Sequence, residues 1–352
     1  MLTNKPKNIV EVLTTKVAPV SLADAERLAR EHFGVSAVAS RLDSERDQNF
    51  HLKAGDGEEY VMKIANPAED RQVTNLQTQA LLHIAAVDPG FPAPHVFPAL
   101  RGELEPLIAP GNGAPQIVRL LSFMPGVPLY KVERTSAQRR NLGRCLARLD
   151  LALRGFFHPA AGHELLWDIK HASRMRQLLV HIQDGNKRAL AERFLNNFEE
   201  NALPVLPRLR AQVIHSDFHP DNILVDAGDP DAVAGVIDFG DCVHTPLIND
   251  LAIACSYHIT DTPQPLDFAA ELTGAYHKVL PLERAEADLL FDLIAARLVT
   301  GVAINGWRAV LYPENAEYIM SNNTQRWRAL ERFAGLSREQ AQNILRRACN
   351  ME

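Results

Sequence analysis

The chain has 352 residues, 46% of them hydrophobic, which is enough to bury a sizeable core in one two-lobed unit or two domains. Its formal net charge of -6 disfavours binding along a phosphate backbone, so no nucleic acid partner is expected. Cys145, Cys242, Cys255 and Cys349 lie far apart with no CxxC pair, and the N-terminal stretch MLTNKPKNIVEVLTTK has no apolar signal region. With no apolar run of ~18 residues either, the expectation is a cytoplasmic protein with reduced thiols and no membrane partner.

In chain order, Ser21 and Asp24 of SLADAERLAREHFG make a helix start, Leu22, Ala25, Leu28, Ala29 and Phe33 repeat at helical spacing, and Gly34 ends the segment. VSAVASRL, NFHLKA and EEYVMKIA then read as three antiparallel strands, the last two joined by a tight turn at 55–57. Lys63 lies near the end of the third strand, between Met62 and Ile64. Taken alone, such a lysine is more often an edge residue reaching solvent than a functional one. A helix is predicted over 73–86 and an apolar strand over 116–123, halted by Pro125 and Gly126. That break marks a linker between a strand-rich part, 1–123, and a helical part, 124–352. Helices are predicted over 136–153, over 187–206 and after Pro246, with short strands only within 212–239.

The segment VIHSDFHPDN, 213–222, places His215, Asp217, His219 and Asp221 at alternating positions. Side chains two apart on a strand share a face, which fits a small zinc or iron site, but Pro220 breaks the ladder before Asp221. The same segment reads H-x-D-x-x-x-x-N, the spacing in which an aspartate meets a substrate hydroxyl and an asparagine holds magnesium. A partner elsewhere must decide. NILVD, the turn AGDPD and AVAGVIDFGD form a small hairpin whose far end brings Asp238 close to Asn222. An aspartate and an asparagine converging beside a third acid offer the hard oxygen ligands that magnesium takes. The zinc or iron reading explains neither Asn222 nor Lys63.

VIHSDFHPDNILVD, GVIDFGD and NDLAIA together resemble the aminoglycoside phosphotransferase and choline kinase group, small-molecule kinases with a protein-kinase-like fold. SERDQNFHL, VMKIAN, IVRLLSFMPG and LYPENAEYIM look like the hydroxylysine kinase branch of that group. The resemblance implies an α+β fold of two lobes, a small antiparallel-sheet N-terminal lobe and a larger helical C-terminal lobe. It implies Asp217 as catalytic base, His215 as a brace for its loop and Asp250 as that loop's anchor. Asn222 and Asp238 would hold Mg2+, Lys63 would meet the inner phosphates of GTP or ATP, and the hinge from Ser122 to Met124 would meet the purine edge.

Two positions depart from the kinase pattern. Gln77 stands where the lysine's glutamate partner is expected, with Glu69 or Asp70 as alternatives. The phosphate-covering turn RLDSERDQNF has no glycine, which leaves Ser44 and Arg46 as candidates and Asp43, Glu45 and Asp47 expected to face solvent. For a hydroxylated amine acceptor, Asp241 is the candidate ammonium partner and Arg297 or Arg308 the carboxylate partner, although the solvated-helix reading is stronger for each arginine. Trp307, Tyr312 and Tyr318 read as packing. The acceptor expected first is 5-hydroxylysine. Aminoglycosides, choline and homoserine are the alternatives, with acids at 261, 267, 271, 283, 286 and 288 as the feature a polycation would use. A catalytically dead nucleotide-binding regulator is the alternative outside enzymes, favoured by Gln77 alone. Oligomeric state is not legible.

Overall fold

A computed structural model describes residues 19–44, 46–109, 115–321 and 323–351. Ser21 accepts the Asp24 N–H at the start of α1 (Leu22–Phe33), Gly34 closes it at a φ of 71°, and Ala25, Leu28, Ala29 and Phe33 form its buried face. Strands β1 (Ala37–Leu42), β2 (Gln48–Ala54) and β3 (Glu59–Ile64) follow, and then α2 (Arg71–Val87), which starts ahead of the expected 73 because Asp70 caps it by accepting the Gln72 N–H. After β4 (Val96–Phe97), β5 (Leu107–Ile108) and β6 (Gln116–Ser122), the sheet order is β1-β2-β3-β6-β4, antiparallel throughout, with β5 also on β6. The two-residue strands β4 and β5 are too short to leave a period in the sequence.

Helix α1 closes a small core with Phe50, Leu52, Met62, Ile64, Val118 and Leu120 of the sheet. Helix α2 instead gives Leu76, Ala80, Leu81 and Ile84 to the much larger core of the helical part, so it joins the two bodies. This is a two-lobed α+β fold. The break at Pro125 and Gly126 is held rather than loose, because β7 (Val127–Pro128) directly after it pairs with β9 (Ile223–Val225). Gly126, at a φ of 145°, is needed there because a Cβ would lie 2.9 Å from the Val225 carbonyl oxygen.

The helical lobe starts with α3 (Ser136–Ala152), which packs against α6 (Asp267–Val279) so closely at Gly143 that a Cβ would lie 2.3 Å from the Leu272 carbonyl oxygen. A 3-10 segment, Ile169–His181, leads into α4 (Gly185–Asn197). The helix expected over 187–206 is thus shorter, ending in a π turn, Phe198–Ala202, just ahead of Pro204, whose ring and missing N–H do not continue the ladder. Strand β8 (Ala211–Ile214) pairs with β11 (Val243–Pro246), and β9 pairs with β10 (Val233–Val236) as the expected hairpin. The remaining helices are α5 (Ile248–Ser256), the 28-residue α7 (Arg284–Leu311), α8 (Ala316–Met320), α9 (Asn323–Ala334) and α10 (Arg338–Ala348). Among the described residues no helix is long and apolar enough to cross a membrane.

Candidate active site

The loop between β8 and β9 is built around buried Asp250 of α5, whose two carboxylate oxygens accept the N–H groups of His215, at 3.0 Å, and Ser216, at 2.9 Å. Ser216 is left-handed at a φ of 65°, a strained conformation that this clamp maintains. His215 accepts the Asp217 N–H at Nδ1, which puts its proton on Nε2, from where it donates to the Ile237 carbonyl at 3.1 Å. Phe239 meets the ring edge-on at 4.8 Å. Beside Asp250, burial and that neighbouring carboxylate push the Asp150 carboxyl well above its usual range. The Tyr276 hydroxyl donates to it at 2.6 Å.

Asp217 leaves this clamp facing three polar partners. Asn222 Nδ2 donates to its Oδ2 at 2.8 Å, His219 Nε2 lies 3.2 Å from the same oxygen, and Arg297 Nη2 is 3.6 Å from Oδ1. Burial alone would raise its pKa, but His219, Arg297 and His215 outweigh that and hold it at about 2. His219 is conversely raised well above its ordinary value, against burial, by Asp217 and Asp221. Asp217 is therefore a carboxylate. The four alternating residues do not form a metal site: His215 spends both ring nitrogens on the loop, and no group of three or more His, Cys, Asp or Glu among the described residues could hold a metal ion.

The hairpin meets its expectation, since the Ile237 N–H donates to the Asn222 carbonyl at 2.9 Å and so sets Asp238 beside Asn222. Asp238 is left-handed, at a φ of 59°, and its Oδ1 accepts the Gly240 N–H at 3.1 Å and Lys63 Nζ at 3.3 Å. Lys63 foremost, and then Arg46, lower its pKa below the carboxylate range. Among the described residues, Asn222 Oδ1 and Asp238 Oδ2 accept no hydrogen bond. One amide oxygen and one carboxylate suit a hard divalent cation that takes its other ligands from phosphate and water.

Lys63 thus reaches across the cleft to Asp238, and its expected pairing with Gln77, Glu69 or Asp70 is not what the structure shows. Arg119, its cross-strand neighbour on β6, is buried and donates to Gln77 Oε1 at 2.8 Å. The second cation has claimed the helix side chain. Asp70 caps α2, and Glu69 Oε1 accepts the Asp70 N–H at 3.1 Å. A double-mutant cycle should therefore give less than about 0.5 kcal/mol of coupling between Lys63 and Gln77, and about 1 kcal/mol or more between Arg119 and Gln77, read from denaturant unfolding.

In the phosphate-covering turn, Arg46 is ion-paired to buried Asp241, so the acid expected to meet a substrate ammonium is paired with a cation of this chain. Burial raises the Asp241 carboxyl even so, with Arg46 pulling against it. Ser44 is exposed and accepts the Asp47 N–H at 3.3 Å. Asp43 is exposed as expected, Asp47 is not, since it accepts the Asn66 N–H at 3.1 Å, and Glu45 lies outside the described residues. At the hinge, Ser122 exchanges hydrogen bonds with His95, and the Phe123 N–H donates to the Glu59 carbonyl at 3.1 Å. The Met124 N–H meets no acceptor among the described residues.

Arg297, for which helix position suggested a solvated face, is only 7% exposed. Its Nη1 donates to the Trp167 carbonyl at 3.3 Å, and its guanidinium lies 5.7 Å from that indole ring. It lines a crevice beside Asp217, about 530 Å3 of atom-free space partly open to solvent, together with Trp167, Tyr257, Gly301, Gln325 and Arg326. Tyr257 stacks on His219 at 5.5 Å. Arg308 does not join this cluster, being eleven residues, about 16 Å of helix, farther along α7. Trp307 packs against the large core, Tyr312 is half-buried, and the Tyr318 side chain lies outside the described residues. Sequence reading missed Asp150, Tyr257, Trp167 and Arg326, none of which belongs to a local motif. His219 stood in the motif, but its spacing suggested a ligand rather than a carboxylate's partner.

A lysine from a small antiparallel sheet that meets an aspartate after a hairpin, next to a clamped H-x-D loop, defines a kinase-like phosphotransferase. Residues 38–290 match the phosphotransferase enzyme family (APH), and the chain belongs to that family. It is a small-molecule kinase with a hydroxyl group as acceptor. Hydroxylysine kinase of Danio rerio is 28% identical over 347 residues, spanning 94% of this chain and 96% of that one. Homoserine kinase of Methylobacillus flagellatus is 28% identical over 245 residues, 68% of this chain and 69% of that one. Amicoumacin kinase, solved with AMP-PNP, Ca2+ and amicoumacin, shares the fold at a TM-score of 0.67 and 12% identity, over 89% of this chain and 93% of that one.

Proposed function

We propose that the protein transfers the terminal phosphate of ATP or GTP to the hydroxyl of 5-hydroxylysine, with Mg2+ as the metal. Residues 1–123 would supply Lys63 to the inner phosphates, the hinge from Ser122 to Met124 at the junction would meet the base, and residues 124–352 would supply the catalytic loop and acceptor crevice. Asn222 Oδ1 and Asp238 Oδ2 would hold the cation, which when bound neutralises charge on the phosphate oxygens. Asp217 orients the acceptor hydroxyl and takes its proton. A carboxylate held at about 2 is a weak base, so that proton moves only as the new O–P bond forms, as a loose phosphoryl transfer permits. The observation that carries this reading is the convergence of Lys63 on Asp238 and of Asn222 on Asp217 at one end of one hairpin.

Likeness to hydroxylysine kinases over nearly the whole chain supports the acceptor. A polycation is poorly served: Asp261, Glu271, Glu283, Glu286 and Asp288 are each paired with an arginine of this chain. Homoserine is the second reading, favoured by the likeness to a homoserine kinase. A coupled phosphotransfer assay with both ATP and GTP should show 5-hydroxylysine turned over well above homoserine, choline and kanamycin, and lysine, which lacks the hydroxyl, not at all. Faster turnover of any other acceptor on that panel would displace 5-hydroxylysine.

A further inference from the structure

The crevice beside Asp217 deepens the proposed function and rests on it. Two guanidinium groups line it and no carboxylate does. Arg297 spans the gap between Asp217 and Trp167. Arg326 enters from α9, where its Nη1 donates to Asn323 Oδ1 at 3.2 Å, and no carboxylate among the described residues pairs with it. Its seat exists because residue 301 is glycine: a Cβ there would lie 2.8 Å from Arg326 Nε and 3.1 Å from its Cζ. Residues 297 and 301 share a face of α7 one turn apart, about 6 Å along the axis. One turn of helix therefore presents an arginine touching the acid and, next to it, the cradle of a second arginine. The field is felt by Tyr257: burial raises its hydroxyl, but Arg297, His219 and Arg326 outweigh burial and hold it below the usual tyrosine range.

An ammonium group gains nothing from such walls, whereas a carboxylate fits a planar guanidinium with paired hydrogen bonds. We propose that Arg326, seated on Gly301 and assisted by Arg297, binds the carboxylate of the acceptor, so that the enzyme takes hydroxylated amino acids and their carboxylate anchor delivers the hydroxyl to Asp217. Gln325, on the same wall, is a further hydrogen-bonding group for the amino-acid head.

The test compares 5-hydroxylysine with its carboxamide, and homoserine with its carboxamide, in wild type, Arg326→Ala and Gly301→Ala. Wild type should favour each acid over its amide by roughly 10- to 100-fold in kcat/KM, carried mainly by KM. In Arg326→Ala the preference should fall to within about threefold, because the amide never used the charge. Gly301→Ala, which displaces the guanidinium while leaving it in the protein, should give an intermediate loss, with unfolding midpoints showing that both variants fold. An acid preference that survives in both variants overturns this assignment and leaves the kinase reading intact. Turnover of homoserine but not of hydroxylysine, with the preference lost in Arg326→Ala, overturns the named acceptor and upholds the carboxylate site. Absence of any acid preference in wild type overturns the carboxylate site outright.

Discussion

Asp217→Asn is expected to lower kcat by roughly a thousandfold or more while nucleotide affinity stays within about twofold of wild type. The substitution keeps the shape of the side chain and an oxygen facing Asn222, but it removes the group that orients the acceptor hydroxyl and takes its proton. It leaves Asp238 and Lys63 in place, so the loss belongs to the transfer step. A second readout separates this from a general disturbance of the loop. Asp217 is the strongest influence raising His219 against its burial, so in the variant His219 should titrate at lower pH, followed by imidazole NMR resonances. Near-normal turnover, or a His219 titration that does not move, contradicts the role given to Asp217.

Asp238→Ala is expected to weaken nucleotide binding in the presence of Mg2+ by about a hundredfold or more, and Asn222→Ala by less. Asp238 offers a free carboxylate oxygen to a cation while its other oxygen steadies Lys63, so one substitution removes a ligand and releases the lysine. Asn222 offers a neutral oxygen and has its nitrogen tied to Asp217, so its loss costs less charge. The measurement is nucleotide affinity as a function of magnesium concentration. Wild-type magnesium dependence in both variants would mean that the hairpin does not hold the cation.

Much of the fold was legible because its longer elements carry their own signals. Ser21 and Gly34 bracket α1, Gly57 turns β2 into β3, and the turn AGDPD between NILVD and AVAGVIDFGD makes the hairpin that sets Asp238 beside Asn222. The α4 boundary was less legible, because Pro204 acts through a π turn several residues upstream. At the site, the motif residues could be found because the catalytic loop and hairpin are local in sequence. The partner of Lys63 was not, since it depends on a buried arginine on a neighbouring strand, and Arg119 gives no sign in sequence that it will take Gln77. The pairing of Asp241 was not legible for a similar reason: its partner, Arg46, lies 195 residues away. Arg326 reads as an ordinary helix arginine until Gly301, on another helix, is seen to make room for it.

The central claim is phosphoryl transfer to an acceptor hydroxyl at this site, and a single-turnover experiment with γ-labelled nucleotide tests it most directly. Enzyme in excess over trace labelled ATP or GTP is mixed with 5-hydroxylysine, with and without Mg2+, and the label is located on nucleotide, acceptor or free phosphate. The expected result is label on the 5-hydroxyl as a phosphate ester, only with Mg2+ present and only when Asp217 is intact. Label that remains on bound nucleotide, or that reaches free phosphate at the same rate with and without acceptor, would contradict it.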